Sequence, residues 1–133
     1  MNAIFITATG TDIGKTYLAI QLIRHFRGNG QAVDALKPVV TGFDPARPES
    51  SDTGQLLAAL GRTITSVEVD RISPWRFAAP LAPDLAARRE GRALDFDAKC
   101  VPAAMDGFRD VQLLLHADHA PLQPRQAGTY QRA

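Results

Sequence analysis

Ala3-Ile4-Phe5-Ile6 is a continuous apolar run near the start of the chain. A run this short reads as a buried strand, spanning Asn2 to Thr7. From Lys15 to Arg27 the period changes. Leu18, Leu22, Ile23 and Phe26 recur at three- and four-residue spacing, with Ile20 partly off that face, which predicts a helix. Gly28 and Gly30 supply its stop signal. Ala32 to Leu36 predicts a second strand, ending in Lys37-Pro38. Strand, helix and strand over this length predict a right-handed crossover unit with parallel strands. Ligands of such sheets collect at the carboxyl ends of the strands. The loop at 8–14 and Lys37 both fall on that edge.

Beyond Pro38 the pattern weakens. Pro38 to Ser51 reads as a polar loop, and Ser51 or Asp52 can cap a short helix running to Leu60, closed by Gly61. Residues 62–73 fit no single period. Ser73 to Pro83 holds Pro74, Pro80 and Pro83, which predicts an extended, irregular stretch. Asp84 to Arg89 predicts a short helix ended by Gly91. Asp95 to Arg109 has a helical pattern that Pro102 would kink or split. Val111 to Leu115 predicts a third strand. A chain whose periodicity stops there is expected to leave that strand's far edge bare. Three strands with open neighbours predict aggregation or partial order unless a partner chain completes the sheet. His116 to Ala133 has no periodicity and almost no large apolar residue, so a disordered tail is expected. The domain assignment is therefore 1–115 folded and 116–133 tail.

Length and composition narrow the classes. At 133 residues the chain is one domain, and 45% hydrophobic content suits a globular protein. A net charge of +1, with no basic run longer than Arg88-Arg89, gives no case for nucleic acid. Cys100 is the single cysteine, which excludes a disulfide framework and fits a reducing cytoplasm. It reads as a small buried apolar residue. No leader pattern and no membrane-length apolar run is visible. His116 and His119 flank Asp118 as a metal cluster would, but read as tail residues. Trp75, Phe77 and Phe96 read as packing rather than base stacking. Of 15 basic residues only Lys15, Lys37 and Lys99 are lysine. Two of these three stand where phosphate chemistry wants a compact ammonium.

The chemistry-bearing stretch is Thr7-Ala8-Thr9-Gly10-Thr11-Asp12-Ile13-Gly14-Lys15-Thr16. Strand, glycine-containing loop, Gly-Lys-Thr and helix form the layout of a phosphate-binding loop. Backbone N–H groups and the positive end of the helix favour phosphate oxygens. Lys15 reaches terminal phosphates, and the Thr16 hydroxyl can ligate Mg²⁺. The spacing departs from the standard at position 9, which is Thr where a glycine is usual. The competing reading is an ordinary strand-to-helix turn with a solvated lysine.

Four stretches together resemble the N-terminal part of the dethiobiotin synthetase family, ATP-dependent enzymes of biotin synthesis. They are Phe5 to Thr16 (FITATGTDIGKT), Leu36 to Gly42 (LKPVVTG), Ser51-Asp52 with the helix after it, and Phe77 to Gly91 (FAAPLAPDLAARREG). The likeness covers about residues 2–115. It implies an α/β fold of the P-loop NTPase type, a Rossmann-like three-layer parallel sheet whose second half is missing. It implies a Mg²⁺- and ATP-dependent ligase that closes the cyclic urea of dethiobiotin from 7,8-diaminopelargonate and CO₂. By position it implies Lys37 as the catalytic lysine. Asp12, Ile13, Gly14, Lys15, Thr16, Tyr17 and Asp52 would bind ATP. Thr11 and Thr41 would hold the diamine or its carbamate, and Thr16 and Asp52 would ligate the metal. The family is a cytoplasmic homodimer with no nucleic-acid or membrane partner.

Each role has a plainer competitor. Lys37 can be a solvated strand-end residue, Asp52 a helix cap, Thr41 a turn residue. After Val111–Leu115 the family reads Val-Glu-Gly-Ala-Gly-Gly, with the glutamate on Mg²⁺. This chain reads His116-Ala117-Asp118-His119-Ala120. A shifted reading frame is the expected cause, testable by translating the other frames past Leu113. The alternatives are an inactive fragment that keeps only phosphate or nucleotide binding, and another P-loop ATPase.

Overall fold

The computed structural model describes residues 2–10, 12–94 and 111–115. The 95–109 helix with Cys100 and Pro102, the 116–133 tail with its histidines, and Thr11 lie outside the described residues.

Two small parallel sheets organise the chain. The first contains β1 (Asn2–Ile6), β2 (Val33–Leu36) and β5 (Val111–Leu115) in the order β1-β5-β2. Ile4 pairs with Leu113 on one side and Ala35 pairs with Leu113 on the other. The expected third strand is thus the central one. The bare edge expected beside it is wrong, because β5 is paired on both sides and, among the described residues, the sheet edges are β1 and β2. The helix between β1 and β2 carries the chain past a gap one strand wide, and β5 returns to fill it. All three strands run the same way, so their carboxyl ends share one edge.

The second sheet pairs β3 (Val39–Thr41) with β4 (Trp75–Phe77), parallel and in register from Val39–Trp75 to Thr41–Phe77. Neither strand was expected. One lies in the stretch read as a polar loop and the other in the stretch read as irregular. Two main-chain bonds extend this pairing upstream: Lys37 N–H donates to Ile72 O (3.0 Å) and Trp75 N–H to Pro38 O (2.9 Å). They hold the end of β2 against the segment that precedes β4.

Helix α1 (Lys15–Gly28) packs with α2 (Asp52–Leu60) over the first sheet. Its buried positions are Lys15, Ala19 and Ile23, with Ile20, Leu22 and Phe26 packed at the margin. Leu18 is half exposed rather than part of the stripe. Ala19 takes the inner position because a small side chain lets the helix approach the sheet. Arg27 donates from Nη1 to Ala59 O (2.6 Å), tying the two helices together at their far ends. Gly61 closes α2 in the left-handed region, as expected. The ambiguous stretch 62–73 resolves into α3 (Ser66–Ile72), capped by Thr65, whose Oγ1 accepts from Glu68 N–H (3.3 Å). Helix α4 (Pro83–Arg89) packs on the second sheet, with Phe77, Ala86 and Ala87 forming a separate small core.

Every residue of β2 is buried, including Asp34. Side chains alternate across a strand. Val33 and Ala35 join the main core, and Asp34 is matched by Arg71 (2.7 Å) and Arg62 (3.0 Å). Asp34→Ala is expected to destabilise the chain by about 1–3 kcal/mol, because it removes the closer acceptor of both arginines and leaves them Glu68 at 3.5 and 3.8 Å. Urea unfolding measures it, and a loss below about 0.5 kcal/mol would show the arginines to be satisfied by Glu68 and water.

Candidate functional site

The loop between β1 and α1 is held open by its own backbone. Gly14 precedes the helix with φ +97°, a left-handed conformation that L side chains rarely adopt. Asp12 has φ +55°, the one non-glycine residue with positive φ among the described residues. Strained residues of this kind collect at functional sites. Gly14 at the cap position has no side chain to cap α1, so among the described residues no side-chain bond caps the helix start. A helix start built this way suits an external anion.

Lys15 is 8% exposed, and its Nζ donates to Gly10 O (2.6 Å) across the loop. The ammonium is therefore folded over the concavity rather than spread into solvent. Asp12, Gly14, Lys15 and Thr16 line a cavity of about 240 Å³, and Asp52 forms its other wall. Ile13 and Tyr17 do not line it, and both side chains are exposed. Any role they have comes through their main-chain N–H groups.

Ser51 settles the capping question. Its Oγ accepts from Gly54 N–H (3.0 Å) at the start of α2. Asp52 is thus the first helical residue and not the cap, and its carboxylate is left to face the sheet edge. There it pairs with Lys37. Lys37 is 2% exposed, which overturns the solvated strand-end reading. A buried ammonium must be paired, and the loop-to-α2 geometry brings it a carboxylate.

Lys37, Thr41, Gly42, Ser50, Ser51 and Asp52 line a second cavity of about 200 Å³. Asp52 is common to both cavities. The structure thus brings Asp12, Gly14, Lys15, Thr16, Asp52, Lys37 and Thr41 to one edge, as two adjoining hollows with a shared carboxylate wall.

An ammonium and helix N–H groups in one hollow suit a phosphate chain. A hydroxyl and a carboxylate on its rim, Thr16 and Asp52, are hard oxygen donors and fit Mg²⁺. Among the described residues no group of three or more acidic, His or Cys side chains could hold a metal alone. Few protein ligands, with water and phosphate completing the shell, is the usual Mg²⁺ arrangement. Lys37 and Thr41 in the second hollow present a cation and a hydroxyl to an anionic group. Among the described residues no helix is long and apolar enough to cross a membrane.

Residues 2–113 match the sequence profile of a family described as an AAA domain. Over 97 residues the chain is 55% identical to an ATP-dependent dethiobiotin synthetase of Phenylobacterium zucineum, covering 73% of this chain and 42% of that protein. It is 50% identical over 98 residues to one of Acidiphilium cryptum, covering 73% and 44%. Against one of Caulobacter sp. strain K31 it is 43% identical over 126 residues, covering 93% and 54%. That last span continues past residue 115, where the resemblance was expected to end. The chain spans about half the length of the curated relatives it matches.

Proposed function

This chain belongs to the AAA-domain family matched across residues 2–113, and we propose that it acts as its dethiobiotin synthetase relatives are named: as an ATP-dependent ligase. The substrates on this reading are 7,8-diaminopelargonate, CO₂ and ATP, with Mg²⁺. The single observation that carries it is Asp52, which lines the phosphate-type hollow, lines the second hollow and pairs with Lys37.

The reaction needs two anions brought together. One amine of the diamine takes up CO₂ and loses a proton, giving a carbamate. A carbamate oxygen attacks the γ-phosphorus of ATP, a P–O bond to ADP breaks, and a carbamic–phosphoric anhydride forms. The second amine attacks the carbonyl carbon, the C–O bond to phosphate breaks, phosphate leaves and a proton is released. In such transfers catalysis is chiefly positioning and charge neutralisation.

The residues divide that work. Lys15 and the N–H groups from Asp12 to Tyr17 hold the phosphates. Thr16 and Asp52 hold Mg²⁺, which when bound neutralises phosphate charge. Lys37 neutralises the carbamate and the oxygens between it and the transferring phosphoryl group. Thr41 hydrogen-bonds the carbamate or an amine, the role also assigned to Thr11. A homodimer and a cytoplasmic location belong to the same proposal.

A second reading is nucleotide binding without ring closure. The sequence His116-Ala117-Asp118-His119-Ala120 favours it, since the family places its second metal carboxylate and phosphate-lining glycines there. Phosphate release from ATP, measured with diamine and bicarbonate present, separates the two. Lys37→Ala is expected to lower that rate about 10²- to 10³-fold, the scale of losing one preorganised charge partner. Mg²⁺-nucleotide affinity should change far less. Equal loss of both would assign Lys37 to the fold and not to the transfer.

A further inference from the structure

Asp52 and Lys37 come from elements with no main-chain hydrogen bond between them among the described residues. Asp52 begins α2, and Lys37 follows β2. Their meeting needs something to fix one element against the other. Lys37 is anchored through its own N–H to Ile72 O, and Pro38 O accepts from Trp75 N–H. The segment 72–75 is therefore the seat of the Lys37 backbone. Ser73 stands in the middle of that seat. Its Oγ lies 2.7 Å from Thr53 Oγ1, and both side chains are fully buried. Thr53 is the residue after Asp52. One hydroxyl–hydroxyl bond thus joins the first turn of the Asp52 helix to the segment that seats Lys37.

Nothing in the chemistry above uses either hydroxyl. A threonine and a serine with no exposure are costly to bury unless bonded. An apolar pair would fill the same volume more cheaply, but it would not specify a fixed separation. A hydrogen bond does, since it weakens steeply with distance and angle. The neighbouring contacts agree in purpose. Ser73 N–H donates to Val69 O (2.8 Å), and Arg76 donates from Nη1 to Ser73 O (2.5 Å), so Ser73 is itself held on both sides.

We propose that the buried Thr53–Ser73 hydroxyl pair is a positioning device that sets the Asp52 carboxylate against Lys37. It deepens the ligase reading and rests on it for the roles of Asp52 and Lys37. Neither hydroxyl touches substrate. Both act through the two residues whose carriers they couple.

The chain's three lysines make the geometry directly readable. The full chain, as wild type, Thr53→Val, Thr53→Ser and Ser73→Ala, is acylated with a dilute succinimidyl ester, and modification at Lys15 and Lys37 is timed by peptide mass spectrometry. Thr53→Val keeps the side-chain volume and removes the bond. It is expected to speed labelling of Lys37 about fivefold relative to Lys15, the scale of one lost buried hydrogen bond. Ser73→Ala should reproduce that change, and Thr53→Ser should stay near wild type. Unchanged Lys37 labelling, or Lys15 and Lys37 rising together as in general loosening, would overturn the proposal.

A second arm measures affinity for a non-hydrolysable ATP analogue with and without Mg²⁺. Thr53→Val should reduce the gain that Mg²⁺ brings about tenfold, and leave Mg²⁺-free affinity near wild type. A Mg²⁺ gain equal to wild type would overturn the positioning role. Wild-type chain that gains nothing from Mg²⁺, while its labelling pattern follows expectation, would instead overturn the ligase reading and leave the hydroxyl clamp standing.

Discussion

Lys15→Ala is expected to remove half or more of the stabilisation that Mg²⁺ and a non-hydrolysable ATP analogue give the chain. The Lys15 ammonium is folded over the loop onto Gly10 O and lines the phosphate-type hollow with Asp12, Gly14 and Thr16. A charge-assisted bond to phosphate is worth about 1.5–3 kcal/mol, so its loss weakens binding about 10- to 100-fold. At a ligand concentration 100 times the dissociation constant, binding adds about 2.7 kcal/mol to the folded state. After a 100-fold loss the same concentration adds only about 0.4 kcal/mol. In a chain of this size the wild-type gain corresponds to a Tm shift on the order of 10 °C. A thermal melt of both proteins reads it. An equal shift in Lys15→Ala would mean that nucleotide binds elsewhere.

Gly54→Ala is expected to destabilise the chain, against the sign that helix propensity gives. Alanine is better than glycine in a helix interior by about 1 kcal/mol. Gly54 lies in the first turn of α2, however, under the turn at Pro48–Ser50. A Cβ there would stand 2.2 Å from Pro48 O and 2.7 Å from Glu49 Cα. Both neighbours are backbone, so no side chain can swing aside. Turn and helix must separate, and Ser51 and Asp52 lie between them. The steric cost, about 1–3 kcal/mol or more, outweighs propensity. It also moves the carboxylate that both hollows share. Urea unfolding gives the sign. A Gly54→Ala chain more stable than wild type by about 1 kcal/mol would show that the turn yields and propensity wins.

The parts legible in the sequence are those with local causes. The loop at 8–14, α1, the Gly61 stop and the start of α2 follow from glycine placement, apolar spacing and a serine cap. The position of β5 was not legible. Its apolar run marks a strand, but strand order depends on pairing between residues a hundred positions apart. That misplacement turned a central strand into a bare edge. The second sheet was missed because three residues are too few to show a period, and Pro38, Pro74 and Pro80 crowd its strands. Helix α3 carried a readable signal in Thr65 and Glu68, a capping pattern three residues apart. The burial of Lys37 had no local signal, because its partners Ile72 and Asp52 come from other elements. The same holds for Thr53 and Ser73, twenty residues apart in sequence and joined only by the fold.

The account turns on whether the two hollows that share Asp52 work together, and one isotope measurement answers that. The full chain is incubated with 7,8-diaminopelargonate, ¹³C-bicarbonate and Mg²⁺-ATP, and the quenched mixture is analysed by mass spectrometry alongside Lys37→Ala. The account predicts dethiobiotin carrying one ¹³C, formed with one phosphate per molecule and greatly reduced in Lys37→Ala. Nucleotide bound in the Lys15 hollow with no labelled dethiobiotin formed would contradict it.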